Sequence, residues 1–240
     1  MTEFGDIRLW LGWRKRSLVE AADGWGRFKL SLAQNFIPAT WQVMTGFGLK
    51  VYVPSILSGS IEDGLPDEVA LLGYSSRAQQ EAGMQTETGR RYGAMHREIF
   101  EFGNTARKSR SGWAQAPTPL QPSLRASSPG AAGFFDPCAS IYVLLLASPG
   151  RLPSSEAILA VMSAQPGSLA LWCQPGFAVI WLAVSGHLQA DGIRATLRAA
   201  LPDATLAALH HADAAPQIGP NQPLPMVEQH SWHFRVQAGG

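Results

Sequence analysis

Charge is what this sequence has least of. Only 15% of its 240 residues are Asp, Glu, Lys or Arg, where soluble domains usually carry about 25%. The formal net charge is +1, so no global field points to nucleic acid or to an anionic membrane. Cysteine is equally scarce. Cys138 and Cys173 alone exclude a disulfide scaffold and a cysteine zinc site. No apolar run reaches the roughly 18–20 residues that span a bilayer. The opening Met1-Thr2-Glu3-Phe4-Gly5-Asp6 does not read as a secretory leader. A soluble, cytoplasmic protein without a membrane partner is the expectation. Also missing are the G-x-S-x-G, H-E-x-x-H, C-x-x-C, Walker and EF-hand patterns. Gly24-Trp25-Gly26 and Gly46-Phe47-Gly48 lack the third glycine of a dinucleotide fingerprint. No cofactor and no metal are expected.

What charge there is lies unevenly. Residues 1–125 hold 27 charged side chains and residues 126–240 only 10. A surface normally needs charge to stay monomeric. The second half, with Trp172, Phe177 and Trp181, is therefore expected to be covered in part, by the first half, by a second copy in a homo-oligomer or by a protein partner. Between the halves, Asn104 to Ala139 carries Arg107-Lys108-Ser109-Arg110 and then Pro117, Pro119, Pro122, Pro129 and Pro137. It shows neither helical nor strand periodicity and reads as a linker.

The second half parses cleanly. Ile141 to Ala147 is an unbroken apolar run suited to a strand buried on both faces. Ser154 or Ser155 caps a helix bearing Ile158, Leu159 and Met162. Leu169–Cys173 and Phe177–Val184 flank the turn Gln174-Pro175-Gly176. A helix with Ile193, Leu197 and Leu201 and a last strand over Thr205–Leu209 complete β-α-β-β-α-β. The first half nearly repeats this order. A strand spans Ile7–Trp13, a helix runs from Ser17 toward Asn35, strands fall at Leu49–Val53 and Val69–Tyr74, and a helix follows from Ser76. In that helix Tyr92, Met95, Ile99 and Phe102 are spaced three, four and three apart. Its fourth strand is missing, and the alternating Gln229–Val236 could supply an edge.

The class is α+β: two tandem ferredoxin-like (βαββαβ) units with antiparallel sheets covered by helices. The expected division is a unit over 1–103, a Pro/Ser/Ala-rich linker over 104–139, and a unit over 140–240 whose tail strand could return to the first sheet. On this element order the chain resembles the dimeric α/β-barrel superfamily, which includes antibiotic-biosynthesis-monooxygenase-like proteins. That resemblance implies a ligand held between a sheet and its helices. It extends to cofactor-independent oxygenases, isomerases, haem-binding enzymes and proteins without chemistry, so fold analogy does not choose among them.

The residues suggest where such a site would lie. His96 sits four after Tyr92 and four before Phe100, a histidine among aromatics on a helix over a sheet, where burial tunes a base. As catalytic residues it and Arg91, or Arg97 in its place, would act as base and as stabiliser of an enolate or carboxylate. Trp10, Trp41, Tyr74 and Tyr92 would bind a small apolar or aromatic ligand. In the first strand, Arg8, Trp10, Gly12 and Arg14 share one face, an arrangement that could stack bases. The absence of an RNP signature and the net charge of +1 argue against RNA. His210, His211, His230 and His233 alternate across strand faces, so a metal would need one from each pair, such as His211 with His233 and Asp213. Polar strand ends explain them as well. Two functions fit: a small-molecule-binding protein or cofactor-independent enzyme, or a non-catalytic protein-binding module that uses spare tryptophans as anchors.

Overall fold

The structure is a computed structural model that describes residues 5–57, 64–103, 107–114, 123–126, 133–148, 150, 152–162, 167–187, 189–216, 223–224 and 230–236. In chain order the elements are β1 (Asp6–Gly12), α1 (Arg16–Val19), α2 (Gly24–Ser31), a π-helical turn (Leu32–Phe36), α3 (Ile37–Thr45), β2 (Leu49–Ile56), β3 (Glu68–Tyr74), α4 (Arg77–Met84) and α5 (Glu87–Ile99). There follow β4 (Arg110–Trp113), β5 (Ser123–Ala126), β6 (Ala139–Ala147), α6 (Ser155–Met162), β7 (Ser168–Cys173), β8 (Phe177–Ser185), α7 (Ala190–Ala200), β9 (Thr205–His211), β10 (Asp213–Ala214) and β11 (His230–Arg235). The chain packs as two compact units, Trp10–Ser111 with Asp213–Gly240, and Met1–Leu9 with Gly112–Ala212. No helix among the described residues is long and apolar enough to cross a membrane. The class is α+β, with two sheets built mainly of antiparallel pairs.

A six-stranded sheet runs in the order β10-β11-β2-β3-β1-β4. Its strands β2-β3-β1-β4 have the split βαβ order, with β11 and β10 added beyond β2. β4 lies inside the stretch expected to be linker, and it takes the fourth-strand edge beside β1. Four residues of mixed polarity are too short to show a period. What seats this segment is side-chain bonding to the backbone ahead of it. Ser109 accepts the Trp13 N–H at 2.9 Å and donates back to the Trp13 carbonyl at 3.2 Å. The tail strand joins the opposite side of the sheet, where β11 pairs antiparallel with β2 and Phe234 faces Tyr52. Prolines 117, 119, 122 and 129 lie outside the described residues.

The two long helices expected in the first unit are broken. Pro38 has no N–H, and the helix adjusts through the π turn just before it. The Ala33 carbonyl, one turn back, accepts instead from the Leu224 N–H at 2.9 Å. The second expected helix divides at Gln85–Thr86, where the Thr86 hydroxyl caps α5 by accepting from Gly89 N–H at 3.1 Å. Because α5 ends at Ile99, Phe102 is exposed, and the inward stripe runs through Tyr92 and half-buried His96 to buried Phe100.

The five-stranded sheet of the second unit has the order β5-β7-β8-β6-β9, the ferredoxin-like arrangement with β5 added at one edge. β6 is flanked by β8 and β9 over its length, which suits its unbroken apolar sequence. Leu144, Leu146, Leu169, Leu171, Ile180 and Leu182 form one buried face with Ile158, Met162, Ile193 and Leu197 of α6 and α7.

Candidate functional site

The first unit gathers its polar residues where β1 and β3 meet. Asp67 and Glu68 are adjacent and neither is exposed, yet their surroundings differ. Asp67 accepts the Arg14 backbone N–H at 2.8 Å and the Arg107 guanidinium at 3.1 Å, with the Arg14 side chain 3.4 Å away. Burial nevertheless raises its pKa above the ordinary value, against these partners. Burial likewise lowers the pKa of Arg14.

Glu68 pairs with no cation among the described residues. Its Oε2 accepts the Trp10 indole N–H at 2.5 Å, and its Oε1 is buried without a hydrogen-bond partner among the described residues. Burial pushes its carboxyl up to about 8, although the Trp10 N–H favours the charged form. At neutral pH the group is therefore mostly an uncharged acid. With Oε2 occupied as an acceptor, the proton belongs on Oε1, which becomes a donor. Gly12 makes room for this contact. A Cβ there would lie 2.5 Å from Phe100, 2.8 Å from Trp10 Nε1 and 3.0 Å from Glu68 Oε2.

Trp10 joins this acid to a cluster of aromatic rings. Trp10 meets His96 edge-on at 5.3 Å and Phe100 at 5.2 Å. Phe36, carried by the π turn, meets His96 at 4.6 Å and Phe100 at 5.1 Å. Tyr92 stands 4.8 Å from the His96 ring. Beside the rings lies a run of hydroxyls. The Thr40 hydroxyl donates to the Phe36 carbonyl at 2.8 Å. That uses its one proton, so Tyr92 donates to it at 2.9 Å. Tyr52 also bonds Thr40, and burial together with the nearby Glu68 charge raises the Tyr52 pKa well above its ordinary value. Strand register puts Tyr52 and Glu68 on one sheet face. Glu68, Trp10, His96, Tyr92, Thr40 and Tyr52 thus form a connected set within one unit.

Of the residues singled out by sequence, the structure brings Trp10, Tyr92 and His96 together. His96 is half-buried, with Nδ1 3.2 Å from the Tyr92 carbonyl. Trp41 packs on Phe234, which in turn stacks on Tyr52, so it stands one ring outside the set. Tyr74 shares the face but lies six residues along β3 from Glu68, about 20 Å away at strand rise. Arg91 is on the exposed side of α5, paired with Glu87 at 2.6 Å. Arg97 is exposed as well. The cationic face expected on β1 is also spent elsewhere: Arg14 joins Asp67, and Arg8 lies 5.5 Å over the Trp113 ring. Among the described residues no group of three metal-ligating side chains converges. His230 pairs with Asp213 at 3.3 Å. Sequence reasoning missed Glu68, Tyr52 and Thr40.

No protein-family model matches this chain, and neither does any curated protein. Among solved structures it resembles a protein called "putative monooxygenase" from Fusobacterium nucleatum subsp. nucleatum ATCC 25586, with 8% identity, a TM-score of 0.44, and coverage of 88% of this chain and 96% of that one. A protein of the same description from Lactobacillus acidophilus NCFM gives 7% identity and a TM-score of 0.38 over 82% of each chain. An anthrone oxidase-like protein gives 9% identity and a TM-score of 0.36, covering 88% of this chain and 90% of that one. At such identities a likeness can be one of fold only.

Proposed function

We propose that this protein binds a small aromatic carbonyl compound against the helix-covered face of its first unit and moves a proton to and from it, with Glu68 as the acid–base group. The observation that carries this reading is the Glu68 carboxyl: fully buried, held at one oxygen by Trp10, and unpartnered at the other among rings. A buried polar atom left without a partner is costly, and a ligand is one way to satisfy it. Apolar walls with few polar groups suit an aromatic ligand. In its ionised form Glu68 takes a proton from the carbon next to the ligand's carbonyl, leaving an enolate. The neutral acid then returns that proton, or one exchanged with solvent, to carbon. A group titrating near 8 supplies both forms close to neutral pH, where general acid–base catalysis is most effective. Trp10 and His96 hold the carboxyl and the ring stack in place. Arg91 has no part in this step.

The probe is 2-tetralone, an aromatic ketone with an acidic methylene, followed by proton NMR in deuterated water. The full chain is expected to accelerate exchange at that methylene, with a rate that rises through pH 8 and then levels off. Glu68→Gln should lower the rate by roughly a hundredfold to ten-thousandfold, while His96→Ala leaves the pH midpoint in place. Loss of exchange in His96→Ala with retention in Glu68→Gln would transfer the role to the histidine and defeat the proposal.

A further inference from the structure

We infer that the second unit carries a solvent-open site for one divalent transition-metal ion of the zinc, nickel and copper class, held by His187 and His211. The two histidines come from different parts of the sheet. His211 ends β9, where it stands opposite Tyr142 of β6, and its ring lies 5.0 Å from the Tyr142 ring. Tyr142 is buried, so it braces one side of this imidazole. His187 follows the end of β8 by two residues. β6 separates β8 from β9 in the sheet, yet the two imidazoles are 5.8 Å apart, centre to centre. Gly186 makes that approach possible. Its φ of +85° is a left-handed turn that a side chain would strain, and beyond it the His187 side chain reaches across the start of β6.

Both histidines are exposed, and a Cβ at Gly186 would meet nothing within 4 Å. An ion with its water therefore has room beside them. The planes of the two rings meet at 59°, so they are not stacked face to face. A zinc ion lies about 2.0–2.1 Å from each imidazole nitrogen, which in tetrahedral geometry puts the ring centres about 5 Å apart. Rotation of two surface side chains covers the difference from the observed 5.8 Å. Among the described residues no third His, Cys, Asp or Glu joins them, so water takes the remaining positions. Imidazole nitrogen selects zinc, nickel and copper, with copper(II) bound tightest, over magnesium and calcium, which take oxygen ligands. This inference is independent of Glu68, which belongs to the other unit.

The test titrates zinc chloride into the full chain, labelled with carbon-13 at the side chains of its six histidines. His187→Ala and His211→Ala each identify one resonance by its absence. The first equivalent of zinc is expected to move the His187 and His211 resonances together and to leave the other histidines in place. Magnesium chloride at the same concentration is expected to move none. Calorimetry should show one zinc per chain. Either substitution should weaken binding on the order of a hundredfold, because the second ligand adds its effective concentration to the first. Both side chains are exposed, so neither substitution empties the core. Shifts centred on His230, which pairs with Asp213, would overturn the inference. So would shifts spread over all six histidines, which mark adventitious binding, or an affinity that neither substitution changes. The titration of the unmodified chain decides between a local and a spread response whatever the variants do.

Discussion

Between pH 4 and pH 9, the unmodified chain should lose on the order of 5 kcal/mol of stability relative to Glu68→Gln. The sign follows from where the proton prefers to be. In the unfolded chain Glu68 ionises near its ordinary 4.5, and in the folded chain only near 8. Across that window the folded state binds more protons, so raising the pH favours unfolding. The contribution of Glu68 is fully present below pH 4.5, drains away as pH climbs, and is spent above about 8. Glutamine reproduces the neutral acid, because its carbonyl can accept from Trp10 and its amide can donate where Oε1 stands. The variant should therefore match the unmodified chain at pH 4 and exceed it at pH 9 in urea midpoint. Parallel curves for the two proteins would mean that Glu68 ionises normally, and the proton-transfer reading would fall with that result. Asp67, whose pKa is also raised, contributes in the same direction in both proteins and cancels in the comparison.

Asp67→Asn should cost about 3–5 kcal/mol at neutral pH, the usual penalty for breaking a buried ion pair. Asp67 is fully buried and Arg14 is 3% exposed, so removing the carboxylate strands a guanidinium away from water. The loss also frees Arg107 and, through it, the segment that leads to β4. An exposed pair offers the control. Glu87→Gln breaks the contact to Arg91, whose side chain is 80% exposed, and the midpoint should stay in place because such pairs contribute little. A drop below about 1 kcal/mol for Asp67→Asn would show that the cluster is not what joins β1, β3 and residues 107–110. The two adjacent carboxyls are thus opposite in kind. Asp67 is tied to two arginines, and Glu68 is held neutral by burial with one oxygen spare.

Most of the fold was written in periodicities that survive without context. The apolar run in β6, the Gln174-Pro175-Gly176 turn and the alternation in β11 each state a local geometry, and the strands follow them. β4 was not legible, since Arg110–Trp113 becomes a strand through Ser109 and Arg107 bonding to distant backbone and side chains. The helix breaks were only half legible. Pro38 was visible, but a π turn with a relocated carbonyl partner depends on Leu224, nearly two hundred residues away. At the site, aromatic spacing revealed Tyr92 and His96, and the β1 alternation revealed Trp10. Glu68 was hidden by a single residue. Read from Val69, the strand excludes it, and Pro66-Asp67-Glu68 looks like a polar turn. Read from Glu68, the inward face becomes Glu68, Ala70, Leu72 and Tyr74, a carboxyl at the head of an apolar row. That was the available signal. Arg91 lies apart from the set for the opposite reason, because helical spacing fixed its angle on α5 but not which side α5 turns to the sheet.

The central claim is that the folded chain keeps a neutral carboxyl among aromatic rings at physiological pH. Carbon-13 NMR of chain labelled at glutamate Cδ measures it directly, with the Glu68 resonance identified by its absence in Glu68→Gln. The account predicts a carboxyl that titrates with a midpoint of about 8 while the chain stays folded. A Glu68 midpoint near the ordinary 4.5, with the fold intact, would contradict it.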